Sequence, residues 1–177
     1  MKKITLKNNS EVVLRKASVE DASNMIDFYN TVGGQTDFLS FGKNEFKRNL
    51  EEYQNYIATT ALEANSILLL AILKEEIIGI ATITSIPRAR LQHVGTLGIV
   101  IEEKYCGQGL GLEMIAFLIE FCKSNGITKK ITLLTREDNL GAIKLYKKLG
   151  FEQEGLMRND NYTNGIFYNT IAMGLLF

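Results

Sequence analysis

One histidine, His93, and two cysteines, Cys106 and Cys122, are all this chain offers a transition metal or a disulfide framework. A structural zinc site takes about four such ligands, and a stapled secreted fold needs a larger, regularly spaced set of cysteines. Neither is expected here. Proline is nearly missing: Pro87 is the only one. No linker, repeat or low-complexity tract divides the sequence. Neither sign of charge is in excess, because Lys+Arg and Asp+Glu both number 20. That argues against a nucleic-acid surface, which needs a basic stripe. Long apolar runs are missing too. The longest, ILLLAIL at 67–73, falls far short of the roughly 20 residues that cross a bilayer. The lysines of MKKITLKNNS precede no apolar stretch of the secretory kind. These absences lead to the expectation of a reduced, cytoplasmic protein that binds no metal, no nucleic acid and no membrane.

What is present suits a globular domain. The chain has 177 residues, 46% hydrophobic and 23% charged, enough for a real core, and one domain over 1–177 is expected. KITL and EVVLRKA flank KNNS and read as a hairpin. SVED (18–21) is a capping box that opens a helix through about Asn30, which Gly33 and Gly34 break. A second helix is expected from about Asn44 to Leu62, with Phe46, Leu50, Tyr53 and Ile57 at 3.6-residue spacing. SILLLAIL and IIGIATITSI form a second hairpin around KEE, and HVGTLGIVI (93–101) a further strand. A helix follows with Leu112, Ile115, Leu118, Ile119 and Cys122 on one side, ended by Asn125-Gly126. KKITLLT (129–135) reads as a buried strand parallel to a neighbour. NLGAIKLYKKLG is a helix capped by Asn139 and closed by Gly150. FEQEGLMR and IFYNTIAMGLL are the last two strands. The order gives an α/β fold, a mixed sheet with helices on both faces.

The stretch CGQGLG, 106–111, lies between a strand and a helix. It has no Gly-Lys-Ser/Thr, so it is no Walker phosphate loop. A dinucleotide fingerprint starting at Gly107 would need glycine at position 112, which is Leu112. A tight turn alone could use these glycines. A stronger reading is available, because the first amides of a helix have no internal partner and sit at the positive end of its dipole. Glycines there let a phosphate approach the backbone. A pyrophosphate fits such a cradle.

VIEEKYCGQGLGLEMI resembles the acyl-CoA loop of the GNAT superfamily of N-acetyltransferases, Arg/Gln-x-x-Gly-x-Gly/Ala, with Cys106 standing at the first position. NLGAIKLYKKLGF is similar to the family's Asn-x-x-Ala-x-x-Leu-Tyr-x-x-x-Gly-Phe segment: Asn139, Ala142, Leu145, Tyr146, Gly150 and Phe151 fall in register. The resemblance implies a mostly antiparallel mixed sheet splayed between the family's strands four and five. It implies acetyl-CoA as co-substrate, its pantetheine arm on the backbone of Ile99, Val100 and Ile101. The pyrophosphate would sit on the amides of Gly107, Gln108, Gly109, Leu110, Gly111 and Leu112. Asn139 would lie near the pantetheine and Tyr146 near the sulfur, its phenol a proton donor to the departing thiolate. On periodicity alone Tyr146 could be a core aromatic and Asn139 a plain cap.

The general base is missing from the family's places. Some members carry a glutamate five residues before the motif asparagine, here Leu134; others carry one at about Gly95. His93 lies on the face of Gly95 if the strand is regular and is the candidate base, with a merely structural role as the alternative. Cys106 lacks an adjacent activating base and reads as a loop residue; Cys122 reads as core. The acceptor side is expected from TVGGQTDFLSFGKNEF, between the first two helices, and from RNDNYTNG, read as the loop between the last two strands. Phe38 and Phe41 could shape a pocket and Asp37 attract a cationic amine, the alternative being a packed connector with one solvated acid. The likeness is to the bacterial branch that acetylates protein N-termini, polyamines or antibiotic amines. It implies direct transfer of acetyl to a primary amine, small molecule or peptide, in a ternary complex. The alternative is a non-catalytic acyl-CoA sensor on the same fold, and a homodimer is compatible with either.

Overall fold

A computed structural model describes residues 1–177. One sheet of eight strands runs in the order β1-β2-β3-β4-β5-β6-β8-β7. β1 (Lys2–Thr5) and β2 (Glu11–Lys16) form the first hairpin. β3 (Ile67–Leu73) and β4 (Glu76–Ser85) form the second. Their turn, Lys74-Glu75, has both residues at positive φ, 49° and 71°, the two-residue geometry that matches strand twist. β5 (Val94–Ile101) pairs antiparallel with β4, and β6 (Lys130–Arg136) is parallel to it. β7 (Glu152–Thr163) and β8 (Ile166–Leu176) complete the sheet, β8 lying against β6.

α1 (Ala22–Val32) follows a short 3-10 turn at Val19–Asp21. The capping box forms: Asp21 accepts from the Ser18 N–H at 2.8 Å and hydroxyl at 3.0 Å. The same carboxylate takes both prongs of Arg15 at 2.7 Å. α2 begins later than the apolar spacing implies, at Leu50, and runs to Leu62. Asn44 sits at φ 60°, which interrupts a helix, and the Asn49 side chain caps the Glu52 N–H at 3.1 Å. Phe46 is therefore in the connector, where its ring meets Tyr29 at 4.4 Å and Tyr53 at 5.8 Å. The periodicity was that of a connector packed against the same apolar surface.

RNDNYTNG is not a loop. β7 and β8 run on through it and turn only at Asn164-Gly165, both at positive φ. Register shifts fall at Gln153/Gly155 and Met157/Asn161. Around the second shift Asn side chains supply the bonds, Asn169 Oδ1 from the Asn159 N–H at 3.0 Å and Asn161 Nδ2 to Thr170 at 2.8 Å. A polar sequence can thus be a strand when its side chains complete a broken ladder.

Two apolar layers cover the sheet. α3 (Leu110–Ser124) and α4 (Leu140–Lys148) share one core with Leu97, Ile131, Leu133 and Met173. α1 and α2 share the other with Leu68, Leu70, Ile80 and Val100. Asn139 caps α4 by accepting from Ala142 N–H at 3.4 Å, and Gly150 closes it at φ 91°. No helix is long and apolar enough to cross a membrane.

β5 and β6 share only three rungs, Val94 with Lys130, Gly95 with Ile131 and Thr96 with Thr132. Beyond Thr96 the strands diverge, leaving residues 97–101 and 133–136 facing a wedge.

The Arg15–Asp21 fork anchors the start of α1. Arg15 holds the Asp21 carboxyl below the usual carboxylate range. A depressed folded value stabilises at neutral pH, above the unfolded value, and that stability is lost as pH falls through the folded value. Asp21→Asn is expected to cost about 1–2 kcal/mol at pH 7, the worth of a cap with charge-assisted bonds. The difference from wild type shrinks on acidification. Urea unfolding at pH 7 and at low pH checks both.

Candidate functional site

Strand alternation decides which backbone groups line the wedge. The Glu102 N–H donates to Ile78 O, and Lys130 N–H to His93 O. Groups of even-numbered β5 residues near the wedge therefore point to β4, and those of odd-numbered residues to β6. Leu97, Ile99 and Ile101 turn their backbone into the wedge. Val100, named with Ile99 and Ile101 from the sequence, gives its backbone to β4, and its side chain packs with α1 and α2. Leu97 was missed; only the strand register reveals it.

At the end of β5 the chain passes a 3-10 turn, Glu103–Tyr105, and enters the glycine loop. Gly107 and Gly109 have φ of 73° and 93°, and a Cβ on either would meet nothing within 4 Å. The amides of residues 107–112 donate to no group of the chain; the first bond of α3 is Glu113 N–H to Gly109 O at 3.2 Å. The loop is pinned from behind by the Lys7 N–H on Gln108 O at 3.1 Å. This is an open anion cradle at a helix N-terminus. Gly111 differs from the other two. A Cβ there would stand 3.0 Å from Leu145 and 3.4 Å from Ile101, so this glycine lets α3 and α4 close together.

Tyr146 is 7% exposed and packs in the cluster with Leu97 and Leu133, one from each diverging strand. Phe151 lies 5.9 Å away, ring to ring. The Tyr146 hydroxyl has no hydrogen-bond partner in the chain and is not sealed from solvent. Burial pushes it up to about 12, so it keeps its proton at neutral pH. Burial, with Glu103 adding to it, pushes the Cys106 thiol up as well. The Cys106 sulfur lies 3.8 Å from Ile101 O and Glu102 O.

His93 is exposed and precedes β5. It lies at the closed end of the β5–β6 pair, where its carbonyl accepts from Lys129 at 2.8 Å. The structure does not bring it to the wedge, which opens only after Thr96. Leu134 is 61% exposed and lies on the face opposite Leu133.

The connector between α1 and α2 borders that face and is tied down in three places. Gln35 accepts from the Glu103 N–H at 3.0 Å. Phe41 stacks edge-on against Tyr29 at 5.8 Å and near Phe46 at 5.4 Å, as an anchor rather than a pocket wall. The third tie is Arg136, which the sequence reading missed. It is 6% exposed, at the end of β6. Its guanidinium forks onto Asp138 at 2.6 and 3.0 Å and donates to Asp37 O at 2.8 Å. It lies 3.7 Å from the centre of the Tyr168 ring and 5.1 Å from that of Phe38. Phe38 remains 44% exposed, and the Asp37 carboxylate accepts from Asn164 at 3.1 Å. Connector, β6 and the β7–β8 hairpin thus meet on one arginine. An arginine closing an otherwise apolar strand was the signal in the sequence. No three His, Cys, Asp or Glu side chains gather closely enough to hold a metal ion.

This arrangement has relatives. The model of the acetyltransferase (GNAT) family matches residues 35–151. The chain belongs to the GNAT family. A crystal structure of a GNAT-family acetyltransferase from Streptococcus pneumoniae is 34% identical, with a TM-score of 0.91, over 94% of this chain and 99% of that one. The structure of yncA, a putative acetyltransferase from Salmonella typhimurium with its cofactor acetyl-CoA, has a TM-score of 0.80 at 16% identity, over 93% of both chains; it speaks for the fold. The L-amino acid N-acetyltransferase AaaT of Escherichia coli (strain K12) is 32% identical over 105 residues, 59% of this chain and 65% of that protein. The match thus spans just under two thirds of that curated relative. The mixed sheet with its splayed parallel pair and helices on both faces is the fold these GNAT structures share.

The two kinds of glycine predict two kinds of failure. Gly109→Asp puts a carboxylate in the open cradle, on a backbone at φ 93° that also strains it, and is expected to weaken acetyl-CoA binding at least tenfold. Gly109→Ala carries the backbone strain without the charge and should lose far less affinity. Gly111→Asp forces a charge against Leu145 and Ile101, and is expected to lower the melting temperature before ligand is added. Gln108→Ala should change little. Wild-type protein should gain about 2.7 kcal/mol at a hundredfold excess of acetyl-CoA over Kd. Calorimetry and thermal melts with and without acetyl-CoA, with NADH as control, test the set.

Proposed function

We propose that this protein is an acetyl-CoA-dependent N-acetyltransferase that passes acetyl directly to a primary amine held in the same complex. The observation that carries the reading is the junction of two features. Six unpartnered amides at the start of α3 adjoin a wedge lined by the backbone of Leu97, Ile99 and Ile101, with Ile99 and the Ile101 N–H left without a partner in the chain. The amides suit a pyrophosphate, and the strand edge suits an amide-bearing arm that pairs as an added strand. Gly107 and Gly109 leave the space for it.

The chemistry then follows from the residues around the wedge. A neutral amine attacks the thioester carbonyl and forms a C–N bond; the tetrahedral intermediate collapses and the C–S bond breaks. The leaving thiolate takes the proton of the Tyr146 hydroxyl, which is protonated at working pH and has no competing partner. The phenolate regains a proton released by the acylated nitrogen through solvent. Direct transfer is favoured over an acyl-cysteine because the Cys106 thiol, pushed up, is a poor nucleophile at neutral pH. Asn139 holds the start of α4 and so sets where Tyr146 stands.

The acceptor binds on the α1–α2 face, between the connector and β6. The exposed Phe38 ring and Leu134 offer an apolar surface there. A small amine such as an L-amino acid suits this space, in keeping with the acceptor in the name of the Escherichia coli relative.

The test is release of free CoA with a panel of amino acids, polyamines and N-terminal peptides. Turnover with at least one amine is the expected result. Acetyl-CoA binding without turnover on any amine would leave the acyl-CoA sensor instead. With an amine found, Tyr146→Phe is expected to lower kcat by about 10²–10⁴ with acetyl-CoA affinity and melting temperature nearly unchanged. Full kcat in that variant would remove Tyr146 as the acid.

A further inference from the structure

The wedge has an acid but, in the family's usual strand positions, no base. Leu134 and Gly95 occupy those places. A carboxylate reaches the same face from another strand. Glu154 is the extra residue of the β-bulge between Gln153 and Gly155 on β7. Bulges re-aim a side chain, and this one throws Glu154 across β8. It passes over Gly174, where a Cβ would overlap its carboxylate, and its Oε1 meets Lys130 Nζ of β6 at 2.7 Å. Three separate features, the bulge, a glycine on β8 and a lysine on β6, fix this one carboxylate.

Its face is the acceptor's. Met173 and Ile131 point into the core under α3 and α4, so Gly174 and Lys130, next to them, face the α1–α2 side. Gly174 lies opposite Thr132, and Thr132 opposite Thr96. Thr96–Thr132 is the last rung before the strands diverge. Glu154 therefore stands over β8, with β6 the one strand between it and the apex of the wedge. Little lies between: Gly174 has no side chain, and Thr132 turns its hydroxyl onto Met173 O at 3.3 Å. Lys130 is the charged group facing Glu154 from β6, and β8 presents none on this face. The ion pair engages Oε1, while Oε2 accepts no bond in the chain, and the side chain is partly exposed. Of the other acids on this side, Asp37 is held by Asn164, Asp138 by Arg136 and Glu137 by Asn169. Glu152, paired with Gly174, lies on β7 outside the bulge and has no partner that aims it toward β6.

We propose that Glu154 is the general base of the reaction. It takes the proton of the incoming ammonium, directly or through one water, and leaves the neutral amine to attack the thioester. Lys130 is the positioning residue that keeps the carboxylate over Gly174. The proposal rests on the acetyltransferase reading.

The experiment is kcat/KM against pH for wild type, Glu154→Gln, Lys130→Met and His93→Ala, with an amine from the panel and melting temperatures alongside. Glu154→Gln keeps the shape of the side chain and loses its basicity. It is expected to lower kcat/KM by about 10²–10⁴ and to abolish the acidic limb of the profile, with acetyl-CoA affinity retained. Lys130→Met is expected to keep the acidic limb and lose far less activity. Full activity with an intact limb in Glu154→Gln would overturn the proposal. So would equal losses in Glu154→Gln and Lys130→Met with equal falls in melting temperature, which mark a mere strand-to-strand tie. Loss of the limb in His93→Ala, with the limb intact in Glu154→Gln, would move the role to His93. A wild-type protein that turns over no amine would refute the acetyltransferase reading itself, and this proposal with it; an active wild type keeps the two failures separate.

Discussion

A strand buried in the middle of a sheet cannot leave its polar backbone unsatisfied without a cost of about 1–3 kcal/mol for each orphaned group. The divergence of β5 from β6 creates such groups on Ile99 and at the Ile101 N–H, and the rest of the site is arranged around them. α3 starts where β5 ends, so its own orphan amides continue the row of free donors. α4 lies behind the wedge and brings Tyr146 to it. The connector between α1 and α2 borders the open side. A polypeptide-like arm bearing a phosphate at one end answers these unsatisfied groups in a way a compact ligand would not.

The positions of the glycines show how finely this depends on local geometry. Gly107 and Gly109 are needed for their backbone angles and for the open space beside them. Gly111 is needed because Leu145 is close. Gly174 is needed because a carboxylate lies on it. The same residue type serves as a hinge, a spacer and a floor, and the sequence alone does not separate these uses.

Much of the fold was legible from residues 93–151. The Gly-x-Gly-x-Gly loop, the Asn139 cap and the Leu145-Tyr146 pair sit in short local segments whose spacing fixes their geometry. The capping box at Ser18–Asp21 was legible for the same reason. The failures came where distant segments meet. Phe46 has helical spacing yet packs from a connector, since Tyr29 and Tyr53 would accept its ring from either conformation. RNDNYTNG looks like a loop because its polar side chains resemble turn chemistry, while in the structure they complete the ladder of β7 and β8. Arg136 and Glu154 were invisible as site residues because their partners, Phe38 and Tyr168 for one and Gly174 and Lys130 for the other, are remote in the chain.

The three-rung seam between β5 and β6 also divides the sheet into unequal halves. One side holds β1–β5; the other holds β6, β8 and β7, which share a much longer ladder. What else joins the two sides is the shared core under α3 and α4 and the bonds of Arg136 and Asn164 to Asp37 in the connector. The seam is therefore the line along which the fewest backbone bonds hold the sheet, over a core that runs without a break from Leu69 and Leu97 to Ile131 and Met173. The amide hydrogens of Gly95, Lys130 and Thr132, which lie between the two strands, are then the reporters of any parting at the seam and are expected to exchange before those of β3 and β4. A ligand lying in the wedge bonds to one half and packs against the other, and so acts as the missing rungs of the ladder.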